Sequence, residues 1–313
     1  MDVTKELLSK IEAVKQQKID FSSQKVISFS QFNIYNNCPH QYKLLYIDKL
    51  KKDTLPNIQM VFGTAIHNTI QNYLDILYNK SVTEADQIDL KEYFKLQFKT
   101  IYSDYKKQFN THISTAQEMQ EFFDDGIKIL DYIKKKRKEY FNPKNESLIG
   151  IEVPINISPD SKRKNIIWRC HLDIVIHDKS NNKLRIIDLK TSYMGWKDKD
   201  KKDFSKTSQL VIYKEYFAKQ YGFPRDNIEI EYIILKRKIF ENAQFPQKQI
   251  QLFSPAGGKN TINKLSKLVN TFIEEIFDED GKVIQKEHEK RPSTSNCKYC
   301  PFYNQPELCN RKK

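Results

Sequence analysis

Two apolar stretches carry charges where a buried strand would not place them. One runs from Leu184 to Thr191 and contains Asp188 and Lys190; the other runs from Trp168 to Ile176 and contains His171 and Asp173. Side chains alternate faces along a strand, so Asp188 and Lys190 project to the same side. Leu172, Ile174 and Ile176 share one face, and Asp173 and Val175 take the other. Asn181 and Asn182 supply a turn between the two strands that brings Asp173 near Asp188. Two carboxylates on adjacent strands, with a lysine two positions on, form the donor set of a hydrolytic Mg²⁺ or Mn²⁺ site. The carboxylates hold a hard cation through oxygen, and the ammonium steers a water or stabilises charge on a phosphate. The plainer reading is a solvent-facing pair on an antiparallel hairpin, which is how most isolated Asp–Lys pairs are used.

These strands need elements to hold them. A strand-like opening at Ile27 gives way to a helix with Ser30 as its cap and Phe32, Tyr35 and residues 44–46 on its apolar spacing, interrupted at Cys38-Pro39. Phe62-Gly63-Thr64 opens a helix to about Tyr78, with Ile66, Ile70, Leu74 and Leu77 as its buried stripe and His67 beside it. Ser81 with Glu84, and Thr115 with Glu118, have capping-box spacing and predict two helices between 83 and 140. The basic run 134–138 reads first as a solvated helix face and second as a phosphate contact. A strand over 148–157 precedes the two charged ones, and the polar stretch 194–207 reads as a loop. A helix follows over 208–221, then strands over 229–237 and 247–253 and a helix over 260–277. Gln209 and Tyr213 lie four apart on one helical face directly after the charged strands, so an amide and a phenol are available to touch a phosphate or orient Lys190.

The chain has 313 residues, enough for a substantial core, and a formal net charge of +13 that attracts polyanions, nucleic acid above all. No apolar run is long enough to span a bilayer, and the first residues carry no signal-peptide pattern; a cytoplasmic protein without membrane association is expected. Five cysteines in such a chain suggest metal or cluster chemistry over disulfides. Cys297, Cys300 and Cys309 crowd the C-terminus, and Cys38 stands near the start. Cys170 shares a strand face with Leu172 and Ile174 and reads as core. His40, His112, His177 and His288 show no ligand spacing, and His171 reads as structural or solvent-facing. Residues 1–20 read as a short amphipathic helix or a frayed arm.

In this order the motifs resemble the PD-(D/E)XK nuclease superfamily, in its RecB/AddB-like branch with a C-terminal iron–sulfur cysteine cluster. The resemblance runs from Ser28 to Cys309. Residues 62–67 match the helix whose histidine binds metal, 150–154 the strand before the active site, His171-Leu172-Asp173 and Ile187-Asp188-Leu189-Lys190-Thr191 the metal carboxylates and catalytic lysine, and Gln209 with Tyr213 the branch's Q-x-x-x-Y.

The resemblance implies an α/β fold: a restriction-endonuclease-like core with a mixed central sheet flanked by helices, plus a helical N-terminal region. It implies an arm over 1–26, a helical region over 27–147, the nuclease core over 148–280 and a cysteine tail over 281–313. Asp173, Asp188, the carbonyl of Leu189 and His67 would bind Mg²⁺ or Mn²⁺. Lys190 would position water, with Gln209 and Tyr213 on the DNA-facing wall. Glu152 would orient a metal-bound water or serve only as a charged strand residue. Cys38, Cys297, Cys300 and Cys309 would hold a [4Fe–4S] cluster, with zinc as the chemical competitor. The implied function is a metal-dependent deoxyribonuclease, as an exonuclease in recombination, repair or phage and mobile-element DNA processing, in the cytoplasm of a bacterial or phage-infected cell. It would act on DNA that is single-stranded or has free ends, with a helicase or recombination partner supplying any unwinding. The alternative is a non-catalytic DNA-binding or assembly subunit that kept the fold, against which the intact Asp173, Asp188 and Lys190 set argues.

Overall fold

The computed structural model describes residues 3–50, 56–240, 243–303 and 305–309. Its elements run α1 (Val3–Gln16), β1 (Lys25–Ile27), α2 (Phe29–Asn37), α3 (Pro39–Tyr42), α4 (Ile58–Asn79), α5 (Val82–Gln87), α6 (Leu90–Phe109), α7 (Ala116–Lys136), β2 (Glu146–Ile157), β3 (Ile166–Asp178), β4 (Lys183–Ser192), α8 (Asp198–Lys202), α9 (Phe204–Tyr221), β5 (Ile228–Lys236), β6 (Ile250–Phe253), α10 (Lys259–Ile276) and α11 (Thr294–Lys298). The strands pair in the order β1-β3-β4-β5-β6, with β2 on β3. The sheet is mixed: β3–β4 and β5–β6 are antiparallel, whereas β1–β3 and β4–β5 are parallel.

Two compact units emerge, and neither is continuous in sequence. The first comprises Met1–Lys15, Leu55–Pro154 and His171–Gly257; the second comprises Gln16–Thr54, Ile155–Cys170 and Gly258–Lys313. In the first unit β4 is the keystone. It is paired on both sides, and Leu184, Ile186, Ile187 and Leu189 are all buried, the pattern of a strand covered on both faces. Helices α4 and α9 both contact β4, and α4 also packs with α6 and α7. Its stripe of Val61, Phe62, Ala65, Ile66, Ile70, Tyr73, Leu74 and Leu77 is buried. Full burial of each large apolar side chain contributes about 1.5–3 kcal/mol. Gly126 on α7 is required by close approach, since a Cβ there would lie 2.3 Å from the Phe94 ring of α6.

In the second unit α2 and α10 interlock through aromatic rings. Phe32 meets Trp168 at 6.1 Å and Phe272 at 6.0 Å, and Phe272 also meets Tyr35 and Tyr42 at 5.0 and 5.3 Å. Such pairs add about 0.5–1.5 kcal/mol each beyond their buried area.

Several elements differ from what the sequence suggests. The first residues form the helix of the two options: Leu7, Ile11 and Val14 are buried, and Lys10 donates to the carbonyl of Tyr221 at 2.9 Å. Helix α2 is capped by Ser28 and not Ser30. Helix α4 starts at Ile58 because Asn57 accepts from the Met60 N–H. The Ser81–Glu84 box opens only the six-residue α5, and Asp89 caps α6 afresh. Thr115 and Glu118 do form the reciprocal box that begins α7. The expected loop over 194–207 contains α8, and α9 begins at Phe204, where Asp203 accepts from the Ser205 N–H. Cap chemistry decides these starts, and apolar periodicity alone does not register it.

Candidate functional site

The two charged strands meet as expected. Ile174 pairs with Ile187, so Asp173 and Asp188 are the next residues along β3 and β4, opposite one another on one face. Asp173 Oδ2 accepts the N–H of Leu189 at 2.7 Å, which fixes one carboxylate against the backbone of the other strand. Asp188 is 4% exposed, and its Oδ2 lies 2.7 Å from Lys190 Nζ. Lys190 Nζ in turn donates to Gln209 Oε1 at 3.2 Å, and Gln209 Nε2 donates to the Tyr213 hydroxyl at 2.8 Å. A continuous chain of polar contacts thus runs from Asp188 through Lys190 and Gln209 to Tyr213.

Helix α4 closes the other side. His67 Nδ1 stands 3.9 Å from Asp173 Oδ2. Gln71, one turn further on the same face, donates from Nε2 to Glu152 Oε1 at 2.7 Å and to the Asp173 carbonyl at 3.2 Å. Glu152 itself has φ +49°, in the left-handed region that a residue with a Cβ enters at a cost of about 1–2 kcal/mol. That backbone is held in place by the Gln71–Glu152 hydrogen bond, beside the two aspartates.

The electrostatics follow from crowding negative charge out of water. Burial, then Asp188, then Glu152 raise the Asp173 pKa well above the usual carboxylate range, against the lowering by Lys190 and the Leu189 N–H. Asp188 is also raised, by burial and Glu152, with Lys190 opposing. Burial lowers the pKa of Lys190, but Asp188 and Asp173 outweigh it and the net shift is upward, so the side chain is an ammonium. Burial and the Lys190 charge push His67 down to about 4, leaving a neutral imidazole with a lone pair to offer.

Two contributors escape a reading of the sequence. Gln71 has a faint signal, four residues after His67. Tyr232 has none, because it reads as strand core. Fully buried on β5, it donates its hydroxyl to the Lys206 carbonyl at 2.8 Å and so anchors the start of α9, the helix that presents Gln209. His171 is exposed and Cys170 is buried. His177 is buried between Thr4 and Asn182, at 3.0 and 2.9 Å. Lys134 and Arg137 of the basic run turn back onto α5 and its end: Lys134 donates to the Asp86 carbonyl at 2.5 Å, and Arg137 pairs with the Asp86 carboxylate.

The second unit gathers the four cysteines. Cys38, Cys297, Cys300 and Cys309 line one cavity of about 420 Å³, and all are free thiols. Burial raises the pKa of Cys300, the Phe302 N–H opposes it, and the other three cysteines add to the rise. The tail is tied to α2 and α3 by polar contacts: His40 Nε2 meets the Leu308 carbonyl at 2.8 Å, Asn296 Nδ2 donates to the Asn37 carbonyl at 2.7 Å, and Arg291 Nη1 donates to the Asn36 carbonyl at 3.0 Å.

Among the described residues no three His, Cys, Asp or Glu side chains are placed to hold a metal ion together. The chemistry of the first donor set nevertheless fits a divalent cation: three acidic groups crowd together beside a neutral imidazole, and a 2+ charge would offset the burial and the charge repulsion that raise Asp173 and Asp188. Also among the described residues, no helix is long and apolar enough to cross a membrane.

Residues 26–305 match the family model of the PD-(D/E)XK nuclease superfamily, and the chain belongs to that superfamily. No curated protein matches it. Among solved structures it is similar to a candidate exonuclease from Eubacterium rectale, with a TM-score of 0.50 and 13% sequence identity over 93% of this chain and 92% of that one. At that identity the likeness is one of fold, and it agrees with the mixed sheet flanked by helices that defines the restriction-endonuclease-like architecture.

Proposed function

We propose that this nuclease-superfamily member is a metal-dependent deoxyribonuclease that hydrolyses phosphodiester bonds, acting as an exonuclease on DNA that is single-stranded or has free ends. The observation that carries the reading is the unbroken polar chain Asp188–Lys190–Gln209–Tyr213 beside Asp173. Asp173, Asp188, the Leu189 carbonyl and His67 would hold Mg²⁺ or Mn²⁺, with Glu152 close enough to raise both aspartates. The chemistry such an ion supplies is polarisation of a phosphoryl oxygen and a more acidic water. The Leu189 N–H holds Asp173 in orientation, and Gln71 holds Glu152. A general base needs a pKa near the working pH, whereas that of Lys190 is raised, so Lys190 acts as a fixed positive charge that orients water and offsets charge on the phosphate. Gln209 sets the ammonium's direction, and Tyr213 holds Gln209.

For the cysteine cavity we infer a [4Fe–4S] cluster over zinc. Four thiols lining one cavity are a donor set that either group takes, and the branch the motifs resemble carries the cluster. Recombination, repair or phage DNA processing in the cytoplasm, with a helicase or recombination partner, remains the setting this reading implies. One observation favours the second reading, a non-catalytic DNA-binding or assembly subunit: no three acidic, histidine or cysteine side chains among the described residues are drawn together as metal ligands.

The test is Mn²⁺-dependent degradation of end-labelled linear DNA, with circular DNA as the control for free-end dependence. Asp188→Asn and Lys190→Ala are each expected to lower the rate by about 10²–10³-fold or more. Wild-type cleavage that both variants retain in full sinks the site, and a wild type inert with both Mn²⁺ and Mg²⁺ leaves the non-catalytic subunit as the function.

A further inference from the structure

On the α9 side of Lys190 lies a second cavity, of about 380 Å³, that the carboxylate chemistry does not use. Lys190, Ser192, Ser205, Lys206 and Gln209 line it, so one lysine borders both the carboxylate cluster and this space. The lining is rich in donors. Its one carboxylate, Asp200, is bound to Lys206 Nζ at 2.5 Å and accepts the Lys197 N–H at 2.9 Å. Lys206 is 41% exposed along its side chain, and its ammonium also stands 6.0 Å over the Trp196 ring. It is thus a partly exposed cation held by a half-buried acid, able to exchange that partner for another anion. The floor is rigid: Trp196 packs on Tyr232 at 4.9 Å, its N–H is held by Gln251 Oε1 at 2.7 Å, and the Lys206 carbonyl is pinned by Tyr232. Ser192 closes the loop by bonding both the N–H and the carbonyl of Gly195, whose φ of +96° only glycine adopts freely.

We propose that this cavity is a phosphate-binding subsite, with Lys206 as its cation, and that it seats a phosphate of the DNA strand one step away from the bond being cut. The proposal deepens the nuclease reading and rests on it. The charge argument is direct. Lys190 is common to both spaces, so a strand whose scissile phosphate lies against Asp188 and Lys190 can run on into this cavity with its neighbouring phosphate. The anion takes Lys206 from Asp200, a carboxylate that retains its Lys197 N–H and has Lys199, Lys201 and Lys202 beside it in sequence. The phosphate has two sources, an internal phosphodiester or a terminal 5′-phosphate, and they share this chemistry.

The test is equilibrium binding of fluorescent single-stranded oligonucleotides by anisotropy, without divalent metal, across a salt series. Strands with 5′-phosphate and with 5′-hydroxyl ends are compared on wild type, Lys206→Gln and Lys95→Gln. Lys95 is an exposed α6 lysine paired with Glu92, and it controls for general charge. Loss of one phosphate contact should weaken binding about 3–10-fold and flatten the slope of log K against log salt by about 0.7. A loss confined to 5′-phosphorylated strands assigns the subsite to a terminal phosphate; an equal loss on both assigns it to an internal one. An unchanged slope in Lys206→Gln, or an equal loss in Lys95→Gln, overturns the subsite. The same samples are assayed for Mn²⁺ cleavage of linear DNA. An inert wild type removes the nuclease reading, while the salt slopes still decide whether Lys206 meets a phosphate.

Discussion

The two sites of this molecule are built in opposite ways. In the carboxylate site the chemistry-bearing side chains sit on regular elements: Asp173 on β3, Asp188 and Lys190 on β4, Gln209 and Tyr213 on α9, His67 and Gln71 on α4. Their mutual placement follows from strand alternation and helical periodicity, and hydrogen bonds only refine it. In the cysteine cavity the thiols sit at helix ends and turns. Cys38 lies between α2 and α3, Cys297 and Cys300 flank the end of α11, and Cys309 directly follows a turn over 306–308. Backbone carbonyls caught by His40, Asn296 and Arg291 do there what a β-sheet does for the carboxylates. Regular elements fix their side chains by their own geometry, whereas side chains on turns depend on the contacts that hold the turns.

The sharpest way to break this contrast is to remove one group from each site and read both activity and stability. Lys190→Ala should abolish nucleolysis, by about 10²–10³-fold, and leave the thermal midpoint close to wild type, because Asp188 is free to take up a proton once its partner is gone. Cys300→Ala should instead lower the midpoint by about 5–10 °C in protein purified without oxygen, and bleach the broad visible absorbance of iron–sulfur thiolates. Equal midpoints in the two variants would show that the tail is complete without a cofactor.

A smaller effect sharpens the electrostatic half. Asp173→Asn keeps an acceptor for the Leu189 N–H and removes one of three crowded negative charges, so it should raise the thermal midpoint by about 2–4 °C while cleavage is lost. Mn²⁺ should stabilise the wild type and not this variant. A midpoint that falls would mean that Asp173 is structural.

The smallest effect is a pH dependence. The pKa of His67 is lowered from 6.5 to about 4, so as pH falls the unfolded chain takes up the proton first and folded stability drops through that window. His67→Gln should flatten that part of the midpoint-against-pH curve relative to wild type. Parallel curves would mean that the imidazole is protonated in the fold.

Much of the first site was legible in the chain. The period of two that aligns Asp188 with Lys190, the Asn181-Asn182 turn, and the spacing of four between Gln209 and Tyr213 are local geometry, and local geometry is written in sequence order. So is the Thr115–Glu118 box. What was not legible depends on partners far away in the chain. The hydrogen bond from Gln71 to Glu152, the left-handed backbone of Glu152 and the grip of Tyr232 on the start of α9 need neighbours 26 to 81 residues distant. In the stretch read as a loop, α8 starts where Asp200 reaches back to the Lys197 N–H and α9 where Asp203 accepts the Ser205 N–H, contacts too local to register as apolar periodicity.

The sequence by itself determined which of the candidate groups share a face, because alternation along a strand and the pitch of a helix are properties of a few consecutive residues. The tertiary structure alone decided how those faces meet. It divided the chain into two units that each draw on three separate segments, and it buried Asp173 and Asp188 near Glu152, so that burial first and repulsion second raised the pKa of both aspartates. It also placed Lys190 and Lys206 on the wall of one cavity. Distances across a fold and the loss of water around a charge are collective, and no short stretch of residues encodes them.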